Sequence, residues 1–264
     1  MKRIQIIKIG GEILDDVLRL DAFLKELACF SSPFVLVHGG GRKATGLASK
    51  LGVPQKMVDG RRITDGETLD IATMVYAGLI NKQLVARLQA LGTDAIGLSG
   101  ADMNCIQASI RDKALMDYGF VGDLGSDSVK SSRFQMLLEA GLIPVVCAIT
   151  HDKNGQLLNT NADTIACAIA IALSLFYEVQ LNYCFGKNGV LGNPADEQSL
   201  IPHLSQTEYL RLKCTGSIHS GMIPKLDNAF KALQEGVKAV RIGEAGAIRH
   251  LVQNNKHYGT ELSV

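Results

Sequence analysis

Three features of the 264-residue chain predict an α/β fold built on a mainly parallel sheet with helices on both faces. Short β-rich apolar runs alternate with amphipathic stretches almost from end to end, the rhythm of repeated βα units. The runs are near-continuous rather than alternating, as in Phe34-Val35-Leu36-Val37 and Ile143-Pro144-Val145-Val146, which suits strands buried on both sides. Glycines close the first two runs where a helix begins.

Taken in order, strands are expected at 3–9, 33–38, 94–98, 142–149, 178–184 and 238–242. Helices are expected near 15–30, 41–51, 67–91, 130–140, 161–175 and 224–235, where the apolar residues recur at helical spacing. The stretch 161–175 is almost wholly apolar and reads as a buried helix. Two segments break the rhythm: Lys56–Thr64 and Gln156–Asn159 read as hairpin or loop insertions, with glycine and asparagine at the turns. A soft boundary near 175–180 gives two lobes on one continuous sheet, 1–176 and 177–264.

Bulk properties narrow the function. Hydrophobic residues make up 47% and charged residues 20%, an ordinary globular balance. A net charge of +1 leaves no footprint for nucleic acid or an anionic membrane. No tryptophan is present for stacking bases. The apolar run from about Ile165 to Leu175 is too short to span a bilayer. The chain goes from Met1-Lys2-Arg3 straight into a strand, so no signal or transit peptide is expected. The six cysteines form no C-x-x-C and no zinc-type pairing with histidines. They read as small core residues in a reducing cytoplasm, and no metal site is expected.

Two lysines carry the chemistry. Lys8 ends the run Ile4-Gln5-Ile6-Ile7 and meets Gly10-Gly11 at once, while Lys225 sits in Gly221-Met222-Ile223-Pro224-Lys225-Leu226. An ammonium in apolar surroundings needs an anion. Polyphosphate at a strand-to-helix glycine turn supplies one, since backbone N–H groups point outward there. The bland alternative is a lysine at a strand end that reaches water.

Further constellations lie between them. His38-Gly39-Gly40-Gly41-Arg42 follows an apolar strand, and three glycines in a row imply a close approach to the backbone. Gly39-x-Gly41-x-x-Ala44 with Asp59 formally fits a dinucleotide fingerprint, so a nicotinamide oxidoreductase is the rival class. Against it, a full βα unit precedes the motif instead of beginning with it. Gly60-Arg61-Arg62-Ile63-Thr64 puts arginines on a turn, where a guanidinium fork suits a carboxylate or is merely solvated. In Asn159-Thr160-Asn161-Ala162-Asp163, Asn161 suits a helix cap and Asp163 favours its dipole. Capping does not explain three polar residues, and Asp163 is a candidate to hold cations beside a reacting phosphate.

In this order and spacing, and with Asn81-Lys82 between them, the motifs resemble the amino acid kinase family, in the branch that phosphorylates N-acylglutamates. The resemblance spans essentially the whole chain. It implies a three-layer αβα sandwich, an acyl-amino-acid lobe that also dimerises, an ATP lobe, and a homodimer. Lys8 and Lys225 match the lysines that stabilise the transferring phosphoryl group, and Asp163 the aspartate that organises them. Gly40, Gly41, Arg62 and Asn159 match substrate-binding positions, with Arg62 on the α-carboxylate, and Gly10 and Gly11 match the phosphate turn. ATP with Mg²⁺ is the implied cosubstrate. Carbamate, aspartate and uridylate kinases share the family, but the Gly60–Thr64 and Asn159–Asp163 segments favour the acylglutamate branch. A catalytically dead binding module is the remaining class, and retention of both lysines and Asp163 argues against it.

Departures from the family pattern matter too. Where it usually has Thr/Ser-Asp before a Gly-Val-Leu turn, this chain reads Cys184-Phe185-Gly186-Lys187-Asn188-Gly189-Val190-Leu191. Lys187 and Gly189 are therefore the nucleotide-side candidates, Lys187 in place of a carboxylate. Arg42-Lys43 directly after the glycines suggest a second carboxylate on the acceptor, succinyl instead of acetyl, unless both point into solvent. In arginine-inhibited relatives an extra N-terminal helix links dimers into hexamers. None precedes the first strand here, so an arginine-insensitive dimer is expected.

Overall fold

The computed structural model describes residues 1–58, 61–193, 195–218, 221–253 and 259–264. β1 (Arg3–Ile9) passes through Gly10 into α1 (Gly11–Asp15), and α2 (Val17–Ala28) follows. Asp16 separates the two helices because its carboxylate accepts from the Leu18 and Arg19 amides at 3.0 Å. The helix expected near 15–30 is α2, and the short α1 precedes it, starting on the glycine turn itself. β2 (Phe34–His38) leads into α3 (Gly41–Lys50), then the hairpin of β3 (Met57–Val58) and β4 (Arg61–Arg62). The turn of that hairpin, Asp59 and Gly60, lies outside the described residues. α4 (Gly66–Thr73), a π-helical stretch Met74–Ile80 and α5 (Asn81–Ala90) form the long helical segment expected over 67–91.

β5 (Ala95–Leu98) is followed by the small antiparallel pair β6 (Ser109–Ile110) and β7 (Gly122–Asp123). α6 (Ser131–Glu139) and β8 (Ile143–Cys147) come next, then β9 (Ile149–His151) paired with β10 (Leu157–Asn159). The strand expected at 142–149 thus ends at Cys147, and the chain turns off into a hairpin. α7 (Ala162–Ser174), β11 (Glu178–Phe185), β12 (His203–Ser205), α8 (Gln206–Cys214) and α9 (Ile223–Gln234) follow. β13 (Ala239–Glu244), α10 (Ile248–Val252) and β14 (Thr260–Ser263) complete the order.

Eight strands form one sheet in the order β12-β14-β13-β11-β1-β2-β8-β5. Every neighbouring pair is parallel except β13 with β14. Burial explains the parallel centre: Ile4, Ile6, Ile7, Val35, Leu36, Val37, Val145 and Val146 are all buried, so both faces are covered. From β1 the chain builds outward to β2, β8 and β5 on one side, and later to β11, β13 and β14 on the other. Such a reversal opens a crevice beyond the carboxyl ends of the strands, where α/β sheets bind ligands. That crevice lies off the ends of β1 and β11.

Candidate active site

The two lysines meet in this crevice. Lys8 Nζ lies 2.8 Å and Lys225 Nζ 2.9 Å from the same oxygen of Asp163, Oδ1. β1 delivers Lys8 just before its carboxyl end, while Asp163 and Lys225 sit in the first turns of α7 and α9. α7 packs against β1, β2 and β11 and against α9, which brings the two helix starts to one point. Both helix N-termini therefore add positive potential to the cluster. Asn161 caps α7, its side chain accepting from the Asp163 and Thr164 amides at 2.7 and 3.2 Å. With Asn161 as the cap, the Asp163 carboxylate is free for the lysines. Tyr183 on β11 supports them from below: the Lys225 ammonium lies 4.9 Å from its ring centre and its hydroxyl donates to the Asp163 carbonyl at 3.1 Å.

The charges are nearly out of water, with only 11–15% of each side chain exposed. Burial alone would raise the Asp163 carboxyl, but the Lys225 and Lys8 ammoniums outweigh it and hold the group well below the usual carboxylate range. Burial pushes the Lys225 ammonium down to about 8, against the pull of Asp163 and with some help from Lys8. The cluster carries two positive charges and one negative, a net attraction for an anion. Since the charged lysine is the useful form, kcat/KM is expected to fall as pH rises through about 8. A pH–rate profile checks this, and Lys225→Arg should move the basic limb upward.

Two cavities lie by the cluster, the first lined by Lys225 and the second by Asn161 and Ala162 just before Asp163. One, of about 630 Å³, is lined by Gly10, Gly11, Glu12, Arg42, Lys187, Gly189 and Lys225 among others. All four residues expected on the nucleotide side lie here. The Gly10 amide is bonded to the Cys184 carbonyl at 3.1 Å, tying the turn to β11. Lys187 pairs with Glu197 at 2.6 Å. A Cβ on Gly189 would lie 2.7 Å from the Thr260 hydroxyl, which is fixed by its bonds to the Val190 amide and the Ile201 carbonyl, so glycine suits this position.

The other cavity, about 210 Å³, is lined by Gly39, Gly40, Gly41, Arg61, Arg62, Tyr76, Arg111, Asn159 and Asn161 among others. The four residues expected to bind substrate meet there. A Cβ on Gly40 would lie 2.5 Å from Ile80 and 2.7 Å from Tyr76, so the loop tolerates only glycine. Arg62 is buried; its Nη2 donates to the Gly41 carbonyl and Thr45 hydroxyl at 2.9 Å, and its Nη1 to Gln55 Oε1. Asn159 donates to the Thr64 hydroxyl at 3.1 Å. Because Arg62 fixes both the glycine loop and a planar donor face, Arg62→Lys is expected to raise KM for the acceptor about 10- to 100-fold with a smaller change in kcat. Steady-state kinetics with the acceptor varied check this.

Arg42 and Lys43 do not line the second cavity. Arg42 lines the first one and pairs with Glu12 at 3.3 Å, so the expectation that these cations flank the acyl group is not met. The arginines that do line it are Arg61, Arg62 and Arg111. Sequence reading passed over Arg111, which lies in an irregular stretch and is held bidentately by Asp123 across the β6–β7 pair. An arginine and an aspartate twelve residues apart in two short polar segments were the available signal. The rival fingerprint depends on Asp59, outside the described residues, and Ser220 near Lys225 is outside them too. A larger groove of about 710 Å³ between residues 107–110, 125–130 and 152–154 touches none of the converged lysines. No helix among the described residues is long and apolar enough to cross a membrane.

A crevice between two helix starts, with two lysines on one carboxylate, attracts an anion. The amino acid kinase family model matches residues 3–244, and the chain belongs to that family of phosphotransferases. Among its relatives, the acetylglutamate kinase of Bacteroides fragilis is 49% identical over 247 residues, 94% of each chain. That of Cytophaga hutchinsonii is 49% identical over 263 residues, 99% of each. Among solved structures, smu.665 of Streptococcus mutans UA159 gives a TM-score of 0.76 at 28% identity, covering 91% of this chain and 94% of that one. Carbamate kinase from Giardia lamblia bound to AMP-PNP shares the fold, with a TM-score of 0.73 at 14% identity over 99% and 98% of the two chains.

Proposed function

We propose that this chain transfers the γ-phosphoryl group of ATP to the γ-carboxylate of an N-acyl-L-glutamate, N-acetyl-L-glutamate first, giving the acyl phosphate used in arginine biosynthesis. The observation that carries the reading is the Lys8–Asp163–Lys225 cluster, whose Lys225 lines a glycine-walled cavity of about 630 Å³ and whose Asp163 directly follows Asn161 and Ala162 of an arginine-lined one of about 210 Å³. Near-half identity to acetylglutamate kinases over nearly the full chain supports the choice of acceptor.

The chemistry suits these groups. A γ-carboxylate with a pKa of about 4 is already ionised at neutral pH, so no general base is needed. The obstacle is the meeting of two anions. Lys8 and Lys225 supply charge to the equatorial oxygens in an in-line transfer, and Asp163 holds them in register. The Gly10–Gly11 turn meets the phosphates, with Gly10 tied to Cys184 and the Gly11 N–H at the start of α1 left to bond them, while Arg62 with Gly40, Gly41 and Asn159 aligns the acceptor. Mg²⁺ enters as the counter-ion of ATP. Glu12 is the carboxylate lining the nucleotide cavity, and no cluster of three or more metal-ligating side chains lies among the described residues.

In this reading residues 1–176 bind the acyl amino acid and dimerise, and 177–264 bind ATP with help from the Gly10–Gly11 turn. A cytoplasmic homodimer belongs to the same proposal. The half-exposed apolar Met74, Leu79 and Leu91 along the α4–α5 segment support a partner surface.

Release of ADP from MgATP, strictly dependent on N-acetyl-L-glutamate and absent with carbamate, aspartate or UMP, is the expected assay result. Release with one of those instead, or binding of NADH and not MgATP, overturns the proposal. A second acceptor, N-succinyl-L-glutamate, is favoured by one observation: Arg61 and Arg111 line the acceptor cavity beside Arg62. Turnover at least tenfold better with the succinyl compound would support it, and equal or better use of the acetyl compound removes it.

A further inference from the structure

We propose that Arg42 is a nucleotide-phosphate-binding residue, held over the glycine turn by Glu12 until the triphosphate takes its guanidinium. The inference rests on the kinase reading above and adds a residue to it.

Arg42 is the second residue of α3, and its neighbours Gly40 and Gly41 belong to the acceptor cavity. Its own side chain turns the other way, into the cavity formed by Gly10, Gly11, Lys187 and Lys225. Its Cγ and Cδ lie 3.7 and 3.8 Å from the position a Gly11 Cβ would take, so the side chain lies directly over the phosphate turn. It thus stands at the seam the phosphoryl group must cross.

Among the described residues three cations line this cavity, each with a carboxylate partner: Lys225 with Asp163 at 2.9 Å, Lys187 with Glu197 at 2.6 Å, and Arg42 with Glu12 at 3.3 Å. The Arg42 pair is the longest, and its side chains are 64% and 47% exposed. An exposed pair of that kind is weak and exchanges readily. Glu12 has its own seat: a Cβ on Gly186 would collide with its Oε2, so glycine there lets the carboxylate lie against the β11 turn. A carboxylate beside polyphosphate repels it. The neighbouring guanidinium cancels that charge and offers a planar fork that matches phosphate oxygens.

The test is titration calorimetry of wild type and Arg42→Ala with Mg²⁺-AMP-PNP, and separately with N-acetyl-L-glutamate. Arg42 is exposed, so the variant should keep the wild-type melting temperature, which is measured alongside. Expected is a roughly five- to tenfold weaker AMP-PNP affinity, acceptor affinity within about twofold, and partial rescue by Arg42→Lys. Unchanged AMP-PNP affinity, or a loss confined to the acceptor, overturns the proposal. A folded wild type that takes up no Mg²⁺-AMP-PNP is a different failure and sinks the kinase reading itself.

Discussion

Replacing Asp163 by asparagine should cut kcat about 100- to 1000-fold and also destabilise the protein by about 3–5 kcal/mol. Both effects share one cause. Asp163 Oδ1 is the common partner of two ammoniums 2.8 and 2.9 Å away, all nearly buried. Asparagine keeps the shape but leaves two like charges facing each other without a counter-ion. In the wild type the carboxyl stays ionised far into acid, because the lysines outweigh the cost of its burial. Its contribution to stability is therefore present above the ordinary carboxylate range, and is lost only as pH falls below it. The asparagine variant should lack that acid-limb dependence. Chemical denaturation at several pH values, with kcat at saturating substrates, checks both halves.

Lys225→Met should lower kcat by a similar or larger factor, about 1000-fold, yet leave the protein at least as stable as the wild type. The sign follows from the ammonium's pKa, which falls from 10.5 to about 8 on folding, first because the group is buried. A base whose pKa falls on folding disfavours the folded state while both states are protonated. The penalty is full below about 8 and fades as pH rises toward 10.5. At neutral pH it amounts to roughly 3 kcal/mol, which methionine removes while Lys8 remains to balance Asp163. A variant that is nearly dead and no less stable marks a lysine kept for chemistry. A Tm several degrees below wild type at pH 7 would contradict this.

These pairings explain how much was readable beforehand. An ammonium at the end of Ile4–Ile7, followed by two glycines, announces an anion because nothing nearby in the sequence neutralises it. The same logic applied to Lys225, and the fold set both on one carboxylate. β1, β2, β5, β8, β11 and β13 were legible since each is a mainly apolar run. β12 and β14 were not: His203-Leu204-Ser205 and Thr260-Glu261-Leu262-Ser263 are short and largely polar, with Leu204 and Leu262 the apolar residues they bury, and they join the sheet by pairing with each other and with β13. Arg42 was misplaced for a geometric reason. One residue along a helix turns a side chain by about 100°, so the neighbour of Gly41 faces the opposite cavity. Arg111 was missed because its partner lies across an irregular pair of two-residue strands.

In the proposed transfer the two ammoniums on Asp163 receive the phosphoryl group in flight. A crystal structure with MgADP, aluminium fluoride and N-acetyl-L-glutamate would capture that arrangement. It should place the fluoroaluminate in line between nucleotide and γ-carboxylate, with Lys8 and Lys225 Nζ each within about 3.2 Å of a fluorine. A fluoroaluminate bound elsewhere, with both lysines still turned only to Asp163, would contradict it.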